Sequence, residues 1–160
     1  MSSELSPEDL ARVLPGSWSV RATNLPGWLD ASTHSYSVTF TVTSTEPLTL
    51  LEEVCFDVTG AETRRLESID RLRGLEFIRR STKKSELLAS RWSVSGISDD
   101  ESVVVIRFSK TRAVPAGLSV LVRADTPAEA RIRALVAHNT EQFGLSLEDF
   151  ASLAWFGGAH

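Results

Sequence analysis

The sequence predicts a mainly β protein: an eight-stranded antiparallel up-and-down β-barrel with a short N-terminal helix and a C-terminal α-helix packed on the barrel. Three observations carry this expectation. Gly16-Ser17-Trp18 opens a first strand directly behind a capped helical turn. About eight short segments of strand character follow, with connections of hairpin length. After Arg123 the apolar period changes from that of a strand to that of a helix.

The elements follow in chain order. Ser6-Pro7-Glu8-Asp9 starts a helix: Ser6 caps, Pro7 suits the first helical position, and the two acids favour the positive end of the dipole. Pro15-Gly16 stops it early. A strand spans Ser17 to Ala22. From His34 to Ser44, Tyr36, Val38, Phe40 and Val42 alternate with Ser and Thr, the pattern of a half-buried strand. Further strands are expected at Leu48 to Val58, Arg64 to Leu72, Leu75 to Arg80, Leu87 to Ile97, Val103 to Phe108 and Leu118 to Arg123. Thr59-Gly60, Arg73-Gly74, Ser98-Asp99-Asp100 and Val114-Pro115-Ala116-Gly117 punctuate them. Thr126-Pro127-Ala128-Glu129 reads as a capping box. Ile132, Leu135, Val136 and Phe143 then form one helical stripe, and Gly144 is its expected stop. Ser146-Leu147-Glu148-Asp149 starts a second short turn.

The 160 residues form one expected domain, 1–160, long enough to bury a core. Net charge is -4, which argues against nucleic acid as a partner. The acidic N-terminus does not read as a signal peptide, and no window is long and apolar enough to span a bilayer as a helix, so no stable membrane insertion is expected. The lone Cys55 excludes an intrachain disulfide and is expected as a small buried hydrophobe; a cytoplasmic location is the resulting expectation. His34, His138 and His160 have no metal-ligand spacing, and no metal or cofactor is expected. Residues 61–84 hold eight of the 17 basic residues and net +4, against -8 for the rest. They read as a solvated hairpin face or as an attractor of anions.

Gly16-Ser17-Trp18, the strand Leu118 to Arg123 followed by Thr126-Pro127, and the tail Gly144 to Phe150 together resemble the lipocalin family, in particular the compact bacterial lipocalins of the calycin superfamily. The likeness runs from about Pro15 to Phe156. It implies a barrel plugged at one end by Trp18, with Arg123 lying across the indole as a cation. The chain departs from the family between the sixth and seventh strands. There the family carries Asp-x-x-Tyr, and this sequence reads Ser98-Asp99-Asp100-Glu101. A more distant barrel of the same superfamily, of fatty-acid-binding or nitrobindin-like type, stays open.

Within this architecture Tyr36, Val38 and Phe40 face the interior, because the alternate face carries hydroxyls. They line a pocket or fill a core. Phe77 and Trp92 are similar candidates. Glu52 and Glu53 interrupt an apolar strand, and alignment with the family favours Glu53 as the inward carboxylate, which would hold a ligand group or bond an arginine. Trp28, in the loop Leu25-Pro26-Gly27-Trp28-Leu29, stands where the family covers the barrel mouth.

No nucleophile elbow, phosphate-cradling glycine loop or Cys/His cluster is present, so catalysis has little support. The expectation is a carrier of a small hydrophobic molecule, with lipid binding in view. A small isomerase or cyclase, or an interaction protein with a filled barrel, are the alternatives.

Overall fold

Helix α1, Pro7–Val13, obeys its capping residues. The Asp9 amide donates to Ser6 Oγ and the Ser6 amide donates to the Asp9 carboxylate, so two N-terminal donors that the helix itself cannot satisfy find partners. Leu10 and Val13 form its buried face. The computed structural model describes residues 5–25, 33–58, 63–82, 90–111, 115–124, 126 and 129–156.

Eight strands follow: β1 Gly16–Thr23, β2 Thr33–Thr45, β3 Leu48–Val58, β4 Arg64–Arg73, β5 Glu76–Ser81, β6 Ser90–Ile97, β7 Val103–Ser109 and β8 Gly117–Arg123. Each pairs antiparallel with the next. β1 pairs with both β2 and β8, which closes the barrel and leaves no long free edge. The strand expected from Leu75 starts one residue later, because Gly74 at φ +70° makes the turn and leaves Leu75 exposed at its tip.

Two apolar cores result. The inner one fills the barrel with Leu10, Val13, Leu14, Trp18, Tyr36, Phe40, Phe77 and Trp92 among others. The outer one lies between the outside of β7, β8 and β1 and the C-terminal segment, through Val105, Val120, Ile132, Val136, Phe143 and Leu153. β8 is therefore buried on both faces, and its sequence is almost continuously apolar. The helix of this second layer is α2, Glu129–His138. α3, Leu147–Ser152, follows it, and β9, Ala154–Trp155, pairs with β1 at Ala22 and Thr23.

Two expectations need correction here. The long helix does not run to Gly144 but ends at His138. Asn139 is the cause: its side-chain amide donates to the Leu135 carbonyl at 2.7 Å, a local bond that competes with helix continuation. A separate turn then closes at Gly144, φ +67°, where the Leu145 amide reaches the Thr140 carbonyl and the Gly144 amide reaches Glu141, the Schellman pattern. Phe143 reaches the outer core from that turn, not from the helix. Cys55 is half-buried, on the opposite parity from the core residue Val54.

The closed end is held by one knot. Trp18 is fully buried and its indole N–H donates to the Leu14 carbonyl at 2.9 Å. Arg123 lies over the indole, 4.0 Å from its centroid. The same guanidinium donates to the Val13 carbonyl at 2.6 Å and the Pro15 carbonyl at 2.8 Å, satisfying the backbone at the end of α1. Gly16 explains the motif's first position. It sits at φ +115°, and a Cβ there would stand 2.6 Å from Arg123 Nη1. Trp18→Ala is expected to lower the unfolding free energy by about 3–5 kcal/mol. Urea denaturation followed by circular dichroism measures this, and a loss under a third of that range would make Trp18 peripheral.

Candidate functional site

Side chains alternate across each strand, so the interior can be read strand by strand. On β2 the inward residues are Tyr36, Val38 and Phe40. On β5 and β6 they include Phe77 and Trp92, which sit opposite each other in the ladder and stack with centroids 4.4 Å apart. Phe40 stacks on the other side of Trp92 at 5.5 Å. Phe40, Phe77 and Trp92 in this stack are at most 2% exposed. Phe56, Leu66 and Phe156 on the inner wall are half-buried, as are Val42, Val94 and Ile97 on the plug side of the stack along β2 and β6. Phe56 and Leu66 lie near the ends of β3 and β4 that are remote from the plug. Tyr36 touches both Phe56 and Phe156, with centroids 5.8 and 5.5 Å away. Trp28 lies outside the described residues, as does the side chain of His34.

The inward carboxylate is Glu52, not Glu53. Leu50, Glu52 and Val54 share one face of β3, and both apolar members are in the inner core. Glu53 takes the opposite face, where it stands 3.7 Å from the exposed Arg65. The alignment misplaced the strand by one residue, and at period two that reverses every side chain.

Glu52 belongs to a polar cluster set into the apolar interior. Asp70 and Ser68 on β4 and Arg79 on β5 complete it, all on inward parity with Leu66, Leu72 and Phe77. Ser68 Oγ donates to Asp70 Oδ1 at 2.9 Å, and the Trp92 indole N–H donates to Asp70 Oδ2 at 3.0 Å. Arg79 Nε donates to Ser68 Oγ at 3.2 Å and stands 3.3 Å from Glu52 Oε1. Asp70 is wholly buried, while a quarter of the Arg79 side chain remains exposed.

Burial pushes the Asp70 carboxyl well above its ordinary 3.8, and the neighbouring charge of Glu52 and a hydrogen bond to it add to the effect. Arg79 and Ser68 pull the other way without reversing it. Burial thus favours the protonated form of Asp70.

Sequence reasoning missed Ser68, Asp70 and Arg79. The signal was there: Leu66-x-Ser68-x-Asp70-x-Leu72 alternates around two apolar ends, and Phe77-x-Arg79 does the same. The density of arginine in residues 61–84 obscured it, because a basic segment reads as solvated. Arg71, Arg73 and Arg80 do stand exposed, while Arg79 turns inward. Among the described residues no group of three or more His, Cys, Asp or Glu is placed to hold a metal. No helix among them is long and apolar enough to cross a membrane, a statement that does not extend to strands.

No protein-family model matches the chain, and no curated protein matches it. Solved structures do. The chain is similar to the amine-binding protein of Rhodnius prolixus, solved as its tryptamine complex, with 14% identity and a TM-score of 0.62 over 97% of this chain and 84% of that one. It is similar to lobster apocrustacyanin A1 with 6% identity and a TM-score of 0.61, over 100% of this chain and 89% of that one. The siderocalin Ex-FABP, described as functioning through dual ligand specificities, matches at 13% identity and a TM-score of 0.55, over 92% and 95% of the two chains. At these identities the likeness is one of fold: this is a lipocalin-type barrel.

The buried acid makes stability depend on pH. The folded chain holds the Asp70 proton to higher pH than the unfolded chain does, so stability falls as pH rises from about 4 through the folded-state value. Asn at this position accepts from Trp92 and donates to Ser68 without titrating. Asp70→Asn is therefore expected to be more stable than the parent at pH 8, with the advantage shrinking toward pH 4. Urea titrations across that range check the sign; an advantage that grows on acidification would contradict it.

Proposed function

We propose that this protein carries a small, largely apolar molecule in the upper half of its barrel, above the Phe40–Trp92–Phe77 stack. The observation that carries the reading is the gradient along the inner wall. Trp18, Val38 and Phe40 at the plug end are buried, while Phe56 and Leu66, inward-facing near the opposite ends of β3 and β4, stay half-buried. Half-exposed apolar side chains aimed into a barrel are the lining of a binding space, with the polar cluster fixing orientation. Tyr36, Phe40, Phe77 and Trp92 shape its floor and wall, and Val38 backs the floor. Trp28 belongs to the loop that would cover the mouth. Two proteins of similar fold are an amine-binding protein solved with tryptamine and a siderocalin with dual ligand specificities, which agrees with a container whose contents vary. Glu53 has no part in this reading.

Catalysis is the weaker alternative. Asp70, the carboxyl whose pKa burial raises, is wholly buried and so is not presented to a substrate.

The neutral dye Nile red should bind the purified protein with a blue-shifted emission. Leu66→Trp, which fills the half-buried wall, should weaken that binding by about tenfold or more, the loss of roughly 1.4 kcal/mol, and leave the unfolding midpoint little changed. Native mass spectrometry of freshly purified protein should show a retained small molecule. A parent that never binds the dye, or a variant that binds it equally well, sinks the carrier reading.

A further inference from the structure

The C-terminal segment covers the outside of β7, β8 and β1. The outside of β4 and β5 belongs to neither apolar core. Leu66, Leu72 and Phe77 point inward, so Ile69, Arg71 and Arg73 of β4 and Ile78 and Arg80 of β5 point out. Register sets these outward residues in rows. Arg71 pairs with Ile78, and Ile78 with Arg91 of β6. Leu51 of β3 pairs with Ile69, and Ile69 with Arg80. Half-buried Leu51, Ile69 and Ile78 thus lie among the exposed Arg71, Arg80 and Arg91. The face ends at the Gly74 turn, where Leu75 is 61% exposed two residues from Arg73.

The charges on this face are largely uncompensated. Arg71, Arg73 and Arg80 make no hydrogen bond or ion pair among the described residues. Arg91 stands 3.9 Å from Glu76, the one outward carboxylate beside them. Nearer the mouth the balance changes, because Glu53 and Glu67 face outward with Arg65. The basic surface is therefore confined to the half of the wall toward the plug.

We propose that this outer face of β4 and β5 docks the barrel side-on to an anionic phospholipid surface, with Leu75 entering the headgroup layer. Guanidiniums meet lipid phosphates and carboxylates, while arginine stems and the interleaved aliphatic side chains meet the hydrocarbon just beneath. Nucleic acid fits less well, since no aromatic ring stands among these outward residues to stack a base. An acidic peptide would pair with the arginines and leave Leu75 in water. Residues outside 61–84 net -8, so repulsion turns the other walls away and orients the docking.

The test is co-sedimentation of the full chain with phosphatidylcholine vesicles containing about one-third phosphatidylserine. Binding at low salt is expected, with release at high salt and none to pure phosphatidylcholine vesicles. Arg71→Gln/Arg80→Gln should lower partitioning by about tenfold or more, since each basic residue at an anionic surface is worth about fivefold. Arg131→Gln/Arg133→Gln removes two exposed arginines from α2 on the covered wall and should change partitioning by less than about twofold. Leu75→Ser keeps the charge and should weaken vesicle binding severalfold while leaving binding to polyglutamate as it was. All five substituted side chains are exposed, so circular dichroism melting curves should match the parent. Failure of the parent to bind at low salt overturns the docking face. Equal losses in the two double variants overturn it too, by reducing the effect to net charge. So does polyglutamate binding tighter than vesicle binding and indifferent to Leu75→Ser, which would make this a protein-docking face. A parent dimer that Arg71→Gln/Arg80→Gln separates would assign the face to a second copy instead. The carrier reading stands or falls separately, on the dye.

Discussion

Everything in this barrel is referred to the stack of Arg123 on Trp18. Trp18 pairs in the ladder with Val38 of β2 and with Arg123 of β8, so it stands at the seam where the first strand meets both its neighbours. Closure of the sheet depends on that seam. Arg123 covers the indole and reaches the carbonyls of Val13, which ends α1, and of Pro15 just beyond it, while Arg12 of α1 reaches Glu101 in the β6–β7 turn at 2.6 Å. The helix is thereby sewn to the closed end at several points. Gly16 is needed because a side chain there would displace the arginine. The motif is a packing solution in which every member fixes the next.

The architecture was legible because its signals are local. The hydroxyl alternation of β2 gave its inward face at once, and Leu48–Val58 matches the strand expected from sequence, end to end. What was not legible depends on register or on competition between nearby groups. Glu52 and Glu53 differ by a single step, and nothing between Leu48 and Val58 breaks the tie except the parity of Leu50 and Val54. The stop at His138 turns on one side-chain bond of Asn139, while the apolar stripe runs on to Phe143. Arg79 was hidden by composition. An arginine among arginines looks solvated, and only pairing with Asp70 and Ser90 shows that its strand turns this one inward.

The two cores divide the labour. The outer layer, with Ile132, Val136, Phe143 and Leu153 on β7, β8 and β1, buries apolar area with almost no polar content. Gly96 allows the turn before Gly144 to come this close: a Cβ at Gly96 would meet the Gln142 carbonyl and the Phe143 Cα at 2.4 Å. With stability vested in that layer and in the plug, the upper barrel can leave apolar side chains half-exposed.

The interior cluster runs against the usual economy of a core. A buried charge pair seldom stabilises a fold more than apolar residues of equal volume would, because desolvation offsets the attraction. Leu or Phe at Glu52, Asp70 and Arg79 would satisfy the packing of a filled barrel. The chain instead keeps two acids and a guanidinium inside, shifts one acid toward its neutral form by burial, and gives its two oxygens an indole and a serine as partners. Asp70 is saturated by Ser68 and Trp92 against the aromatic stack, and Glu52 pairs with an Arg79 side chain that keeps a quarter of its surface exposed, so the cluster reaches from the sealed stack to a partly accessible guanidinium.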